Sequence, residues 1–85
     1  MSAEREAFAV FGFEGTHEAI RAEEVLIAAE VDVVLIPTPR ALGSLCGFAV
    51  RVPIAERASA LEALKASGLE PGGEVEMRDR VSRRR

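Results

Sequence analysis

Short apolar runs along the chain alternate with two longer stretches of helical spacing, and this alternation predicts its elements. Residues 7–13 read Ala-Phe-Ala-Val-Phe-Gly-Phe, a near-continuous apolar run that suits a strand covered on both faces and hence a central one. Glu14 and Gly15 break it. Thr16 has the side chain of a helix N-cap and Glu18 favours the first turn, so a helix is predicted to about Ala29, with Ala19, Ile20, Ala22, Leu26, Ile27 and Ala29 as its apolar stripe. Its end is less well marked, because no glycine follows Glu30. Val31 to Ile36, short and β-branched, is a second strand. Pro37 and Pro39 lack the N–H that a ladder requires and stop it. Phe48, Val50 and Val52 alternate with Ala49 and Arg51, which predicts a third strand with one apolar face, closed by Pro53. From Ile54 to Ser67 a second helix carries Ala58, Leu61, Ala63 and Leu64 on one side, and Gly68 followed by Leu69 fits a glycine C-cap with its hydrophobic contact. Pro71, Gly72 and Gly73 turn the chain into a fourth strand, where Val75 and Met77 alternate with Glu76 and Arg78.

Strand, helix, strand, strand, helix, strand is the ferredoxin-like βαββαβ order, an α+β fold with a four-stranded antiparallel sheet and two helices on one face. The 85 residues are read as one domain, with an ordered core over about 7–80 and frayed ends. A right-handed crossover leaves a gap between the first two strands, and the third strand runs back through it. The start of the first helix and the turn between the second and third strands then share one end of the molecule. That turn holds the only cysteine, Cys46, in the stretch Ile-Pro-Thr-Pro-Arg-Ala-Leu-Gly-Ser-Leu-Cys-Gly, so Cys46 is expected near Gly15, Thr16 and His17. Gly43 and Gly47 let the backbone turn and leave the thiol little cover.

This placement changes what the cysteine could do. A helix start offers unpaired N–H groups and roughly half a positive charge, and Arg40 and His17 can add to it, an environment that favours a thiolate or another anionic terminal atom on sulfur. Each feature also has a plainer reading. A free cysteine is commonly a small buried hydrophobe, a lone histidine in a first helical turn is commonly exposed and idle, and Arg40 is a surface residue unless an anion finds it. The glycine pairs Gly12, Gly15 and Gly43, Gly47 could cradle an anion, but no Walker or dinucleotide fingerprint is present. Phe8, Phe11, Phe13 and Phe48 lie in apolar strands without basic interleaving and read as core.

Composition removes several classes of function. Hydrophobic residues make up 48% and charged residues 29%, ordinary for a folded domain and wrong for a disordered chain. No apolar run reaches the ~20 residues of a membrane span, and the first residues lack the pattern of a signal peptide, so a cytoplasmic protein is expected. One cysteine forms no intrachain disulfide, and one Cys with one His is a poor start for a zinc site, so neither metal nor cofactor is expected. The net charge of -3 argues against nucleic acid. Arg78, Arg80, Arg83, Arg84 and Arg85 crowd the C-terminus and read as a solvated end.

The residues that surround the turn carry a resemblance. From about Val10 to Glu70 the chain resembles a small family of selenium or sulfur carrier-like proteins. The matching residues are Phe11, then Thr16-His17 opening a helix with Ala19 and Glu23, then Ile36-Pro37-Thr38-Pro39-Arg40, Ser44 and Cys46-Gly47. The resemblance implies that Cys46 is an acceptor of sulfur or selenium as a persulfide-type adduct, with Thr16, His17, Arg40, Ser44 and Gly47 as its surroundings. It implies a carrier rather than a stand-alone enzyme, served by a cysteine desulfurase-type donor and an acceptor protein. Gly15 and Gly43 replace serines of the family pattern. The other class of function is a ferredoxin-like module that binds a small ligand or a protein at the Pro-Thr-Pro-Arg turn, with Cys46 incidental. Association with a second copy is open to either.

Overall fold

The structure is a computed structural model that describes residues 5–43 and 45–80. Its elements are β1 (Arg5–Gly12), α1 (Thr16–Ala28), β2 (Val34–Pro37), β3 (Phe48–Pro53), α2 (Arg57–Ala66) and β4 (Gly73–Arg80), with short 3-10 turns over Arg40–Leu42 and Ile54–Glu56. The sheet runs β2-β3-β1-β4 and all neighbouring strands are antiparallel. This is the ferredoxin-like arrangement that the order of elements predicts. β1 is central and pairs along its whole length with β4, from Arg5 opposite Arg80 to Gly12 opposite Gly73. Among the described residues no helix is long and apolar enough to cross a membrane.

Alternation along the strands divides the sheet into two faces. On one, Ala9, Phe11, Val50 and Val52 pack with Ala19, Ala22 and Leu26 of α1 and Ala60 and Leu64 of α2, and this cluster is the main core. On the other lie Phe8, Val10, Ala49 and Arg51, all buried although no helix covers them. The expectation of one apolar face for β3 is corrected here: both faces are buried, and Arg51 is only 5% exposed. Its guanidinium carbon lies 4.1 Å from the centroid of the Phe8 ring, and Nη1 donates to Asp79 Oδ2 at 3.1 Å. A long apolar stem, an aromatic ring beneath the charge and a carboxylate at its tip make burial of this arginine tolerable. Nε and Nη2 remain buried without a hydrogen-bond partner among the described residues.

Helix α1 departs from expectation at both ends. Thr16 is its first residue rather than its cap; Gly15 holds the cap position, extended and with no side-chain hydrogen bond to the helix. The C-terminus, by contrast, is closed by a full set of bonds. Glu30 adopts φ 65, its N–H donates to the Ile27 carbonyl at 2.9 Å, and the Val31 N–H donates to the Leu26 carbonyl at 2.9 Å. This is the Schellman pattern with glutamate where glycine is usual. α2 ends the same way with the expected glycine: Gly68 has φ 75, Leu69 N–H reaches the Leu64 carbonyl at 2.9 Å, and Leu69 packs on the core. The predicted stripe of α1 is too wide, since Ile20 and Ile27 are each 44% exposed while Ala19, Ala22 and Leu26 are buried. Phe48 is likewise exposed, at 43%, rather than core. Val31 and Val33 are buried but precede β2, which starts at Val34.

Candidate functional site

Three connections meet at one end of the sheet: β1 to α1, β2 to β3, and α2 to β4. Backbone hydrogen bonds lock them together. The Cys46 N–H donates to the Phe13 carbonyl at 3.0 Å, and the Gly72 N–H donates to the Gly12 carbonyl at 2.8 Å. Past Pro37, which cannot donate, the Thr38 N–H bonds the Gly47 carbonyl at 3.0 Å and carries the pairing of β2 with β3 one step beyond the strands. The topology therefore brings Cys46 to the exit of β1.

The β2–β3 loop straddles the sheet edge. Its leucines turn to the face without helices, where a Cβ at Gly12 would stand 2.8 Å from Leu45 Cδ1 and 3.0 Å from Leu42 Cδ1. Gly12 and Gly73 sit opposite each other beneath those side chains, and the missing Cβ atoms make the close approach possible. Cys46, next to Leu45, packs instead against the core on the helix side. Cys46 is half-buried, so it has more cover than the flanking glycines predict. Opposite fates for two neighbouring side chains fix the loop to both faces at once.

The immediate contacts of Cys46 are with backbone and with one hydroxyl. Sγ donates to the Phe48 carbonyl at 3.2 Å, and Thr38 Oγ1 donates to the Cys46 carbonyl at 2.5 Å. In this arrangement the thiol is the donor and its partner is a carbonyl oxygen. Thr38 is the functional neighbour that spacing alone leaves unassigned; its sign in the sequence is a hydroxyl residue held between two prolines, where the backbone is stiff enough to aim it.

The other candidates distribute around this end. Gly47 is exposed and supplies the carbonyl that pairs with Thr38. Thr16 is exposed at the start of α1. His17 stands with Ile20, Arg21 and Glu24 around a shallow hollow on the outward side of α1, opposite the buried Ala19, Ala22 and Leu26. Arg40 is exposed and opens the 3-10 turn over Arg40–Leu42. Among the described residues no hydrogen bond or ion pair joins Thr16, His17 or Arg40 to Cys46. Ser44 lies outside the described residues, as do Arg83, Arg84 and Arg85. At the same end, on the α2 side, a hollow of about 460 Å³ is lined by Leu61, Lys65, Gly68, Leu69, Glu70 and Pro71. Among the described residues no cluster of His, Cys, Asp and Glu is able to hold a metal ion.

Comparison with curated proteins gives no match. Among solved structures, the chain is similar to CPII, a nitrogen regulatory PII-like protein from Thiomonas intermedia K12 bound to ADP, AMP and bicarbonate. The two share 16% identity over 96% of each chain with a TM-score of 0.54, a likeness of fold. The family model described as "Putative Se/S carrier protein-like" matches residues 8–76, a span that includes most of β1, both helices, the whole Cys46 loop and half of β4, and the chain belongs to that family.

Proposed function

We propose that Cys46 takes up one sulfur or selenium atom as a persulfide-type adduct and delivers it to a partner protein. Membership of a carrier-like family supports the reading, and one observation carries it to a residue: the only thiol in the chain is fixed by its own backbone at the exit of the central strand, half-exposed, beside the exposed Phe48. The loading step balances without an outside oxidant. The Cys46 thiolate attacks the terminal sulfur of a donor's cysteine persulfide, the donor S–S bond breaks as the new one forms on Cys46, and the donor cysteine leaves as a thiolate. Unloading repeats the exchange, with an acceptor thiolate attacking and Cys46 leaving. A carrier is well served by a single cysteine, because no second thiol in the chain can collapse the adduct into an intramolecular disulfide.

The test is intact-mass spectrometry of the chain after incubation with a cysteine desulfurase and cysteine. The expected result is an adduct of one sulfur atom that is lost on thiol reduction and is absent from Cys46→Ser. An unmodified wild-type chain would overturn the proposal.

A second reading rests on the fold. The PII-like protein that shares it holds nucleotides and bicarbonate, so a module that binds a small anion at the loop end, with Cys46 incidental, is the competing function. Calorimetric titration with ADP, AMP and bicarbonate separates the two: binding that survives Cys46→Ser unchanged, in a chain that takes up no sulfur, favours the module.

A further inference from the structure

β4 is an edge strand of the sheet, and at eight residues it is one of the two longest strands in the molecule. Such an edge presents unpaired backbone N–H and C=O groups and invites another strand. Its sequence, Gly-Glu-Val-Glu-Met-Arg-Asp-Arg, separates charge along its length: Glu74 and Glu76 precede Met77, and Arg78 and Arg80 follow it. Glu74, Glu76 and Arg78 occupy alternate positions and belong to one face, while Val75, Met77 and Asp79 belong to the other. Glu76 and Arg78 are exposed, and neither makes an ion pair among the described residues.

We infer that β4 pairs antiparallel with β4 of a second copy, across a twofold axis at Met77, to give a continuous eight-stranded sheet. The register follows from charge. With Met77 opposite Met77, each Glu76 faces an Arg78, so the two charged pairs that flank the axis are of opposite sign. On the other face Met77, half-buried, meets Met77 of the copy and extends the apolar surface of Phe8 and Val10, while Val75 stands opposite Asp79 of the copy. Sliding the twofold axis to Glu76 or to Arg78 sets that residue against its own copy, and like charges directly opposite each other oppose association. One register is favoured and its nearest alternatives are penalised. Charges used only to keep an edge solitary have no need to be sorted in this way. Glu74 also forms a two-point ion pair with Arg57, whose Nη2 donates to Oε1 at 2.9 Å, so the inner Glu76 and Arg78 carry most of the selectivity. The contact is centred on Met77, four residues along β4 from Gly73, and the inference stands whether or not Cys46 carries sulfur.

Sedimentation velocity on the full chain over a concentration series tests it. Wild type is expected to form a dimer that weakens as salt rises. Glu76→Arg and Arg78→Glu each place two like-charged pairs at the centre and should each weaken association by at least about tenfold. Mixing the two variants restores both pairs and should give a heterodimer, and the double exchange Glu76→Arg/Arg78→Glu should dimerise by itself. Both positions are exposed, so folding is expected to survive, and circular dichroism checks this. Register is read separately in a Cys46→Ser background, where mild oxidation should cross-link Met77→Cys between copies and leave Val75→Cys uncross-linked. A wild-type chain that stays monomeric at every concentration overturns the inference. So does a dimer that neither single variant weakens, or one that mixing fails to restore.

Discussion

Cys46 is positioned through main-chain atoms, so the side chains that matter most to it are those that hold its loop. Thr38 is the clearest. Its hydroxyl is the only side-chain donor to the Cys46 carbonyl among the described residues, and Thr38→Val, which keeps the shape and removes the donor, should cost about 1 kcal/mol in denaturant unfolding. The same variant should raise the alkylation rate of Cys46, since the loop that holds Sγ against the Phe48 carbonyl is loosened. Arg51 poses a different residue-scale problem, a buried cation with one carboxylate partner and two unsatisfied donors. Asp79→Ala should destabilise the fold, towards the lower end of about 1.5–3 kcal/mol because Asp79 is 41% exposed. Adding Arg51→Met should recover most of that loss, and a double-mutant cycle from chemical denaturation isolates the part owed to the pair. Neither Thr38 nor Arg51 was legible as a special residue. Period-two alternation marks Arg51 as solvent-facing, and only the register of β3 between β2 and β1 reveals that its face is covered by neighbouring side chains.

The ends of elements were read less well than their centres. Gly68 announced the end of α2, because a glycine followed by leucine encodes both the left-handed turn and its hydrophobic contact. The same turn at the end of α1 was hidden, since Glu30 carries no such sign and adopts φ 65 at a cost. Glu30→Gly keeps every hydrogen bond of that turn and relieves the left-handed strain, so it should stabilise the chain by about 1 kcal/mol, measurable as a raised thermal midpoint. At the start of α1 the error was opposite. Thr16 has cap chemistry, but the cap lies one residue earlier, on the extended Gly15, whose carbonyl accepts from the N–H groups of Glu18 and Ala19, and Thr16 is the first helical residue. β2 is short for a legible reason, because Pro37 ends it, and Val33 before it is buried in the core without being part of the ladder.

At the scale of the molecule, the order of elements was sufficient. Once two helices alternate with strands in this order and crossovers are right-handed, β3 has one place to go, and the Cys46 turn must share an end with the start of α1. The Cys46 amide on the Phe13 carbonyl is the bond in which that topological expectation is met. What topology does not supply is the direction of side chains at that end. His17 belongs to the outward side of α1, and the loop leucines cross to the face without helices. Helical phase and the Gly12–Gly73 gap decide those directions, and both depend on contacts between segments far apart in the chain.

The register of the two longest strands has a practical consequence. Arg5 and Arg80 are opposite one another, at the end of β1 away from Gly12 and the Cys46 loop. Eight residues of strand separate the two ends of β1, roughly 25 Å. Anything fused ahead of Arg5 or behind Arg80 therefore leaves from the pole opposite the thiol. A chain immobilised or tagged at either position presents its Cys46 end outward, free for another macromolecule to approach.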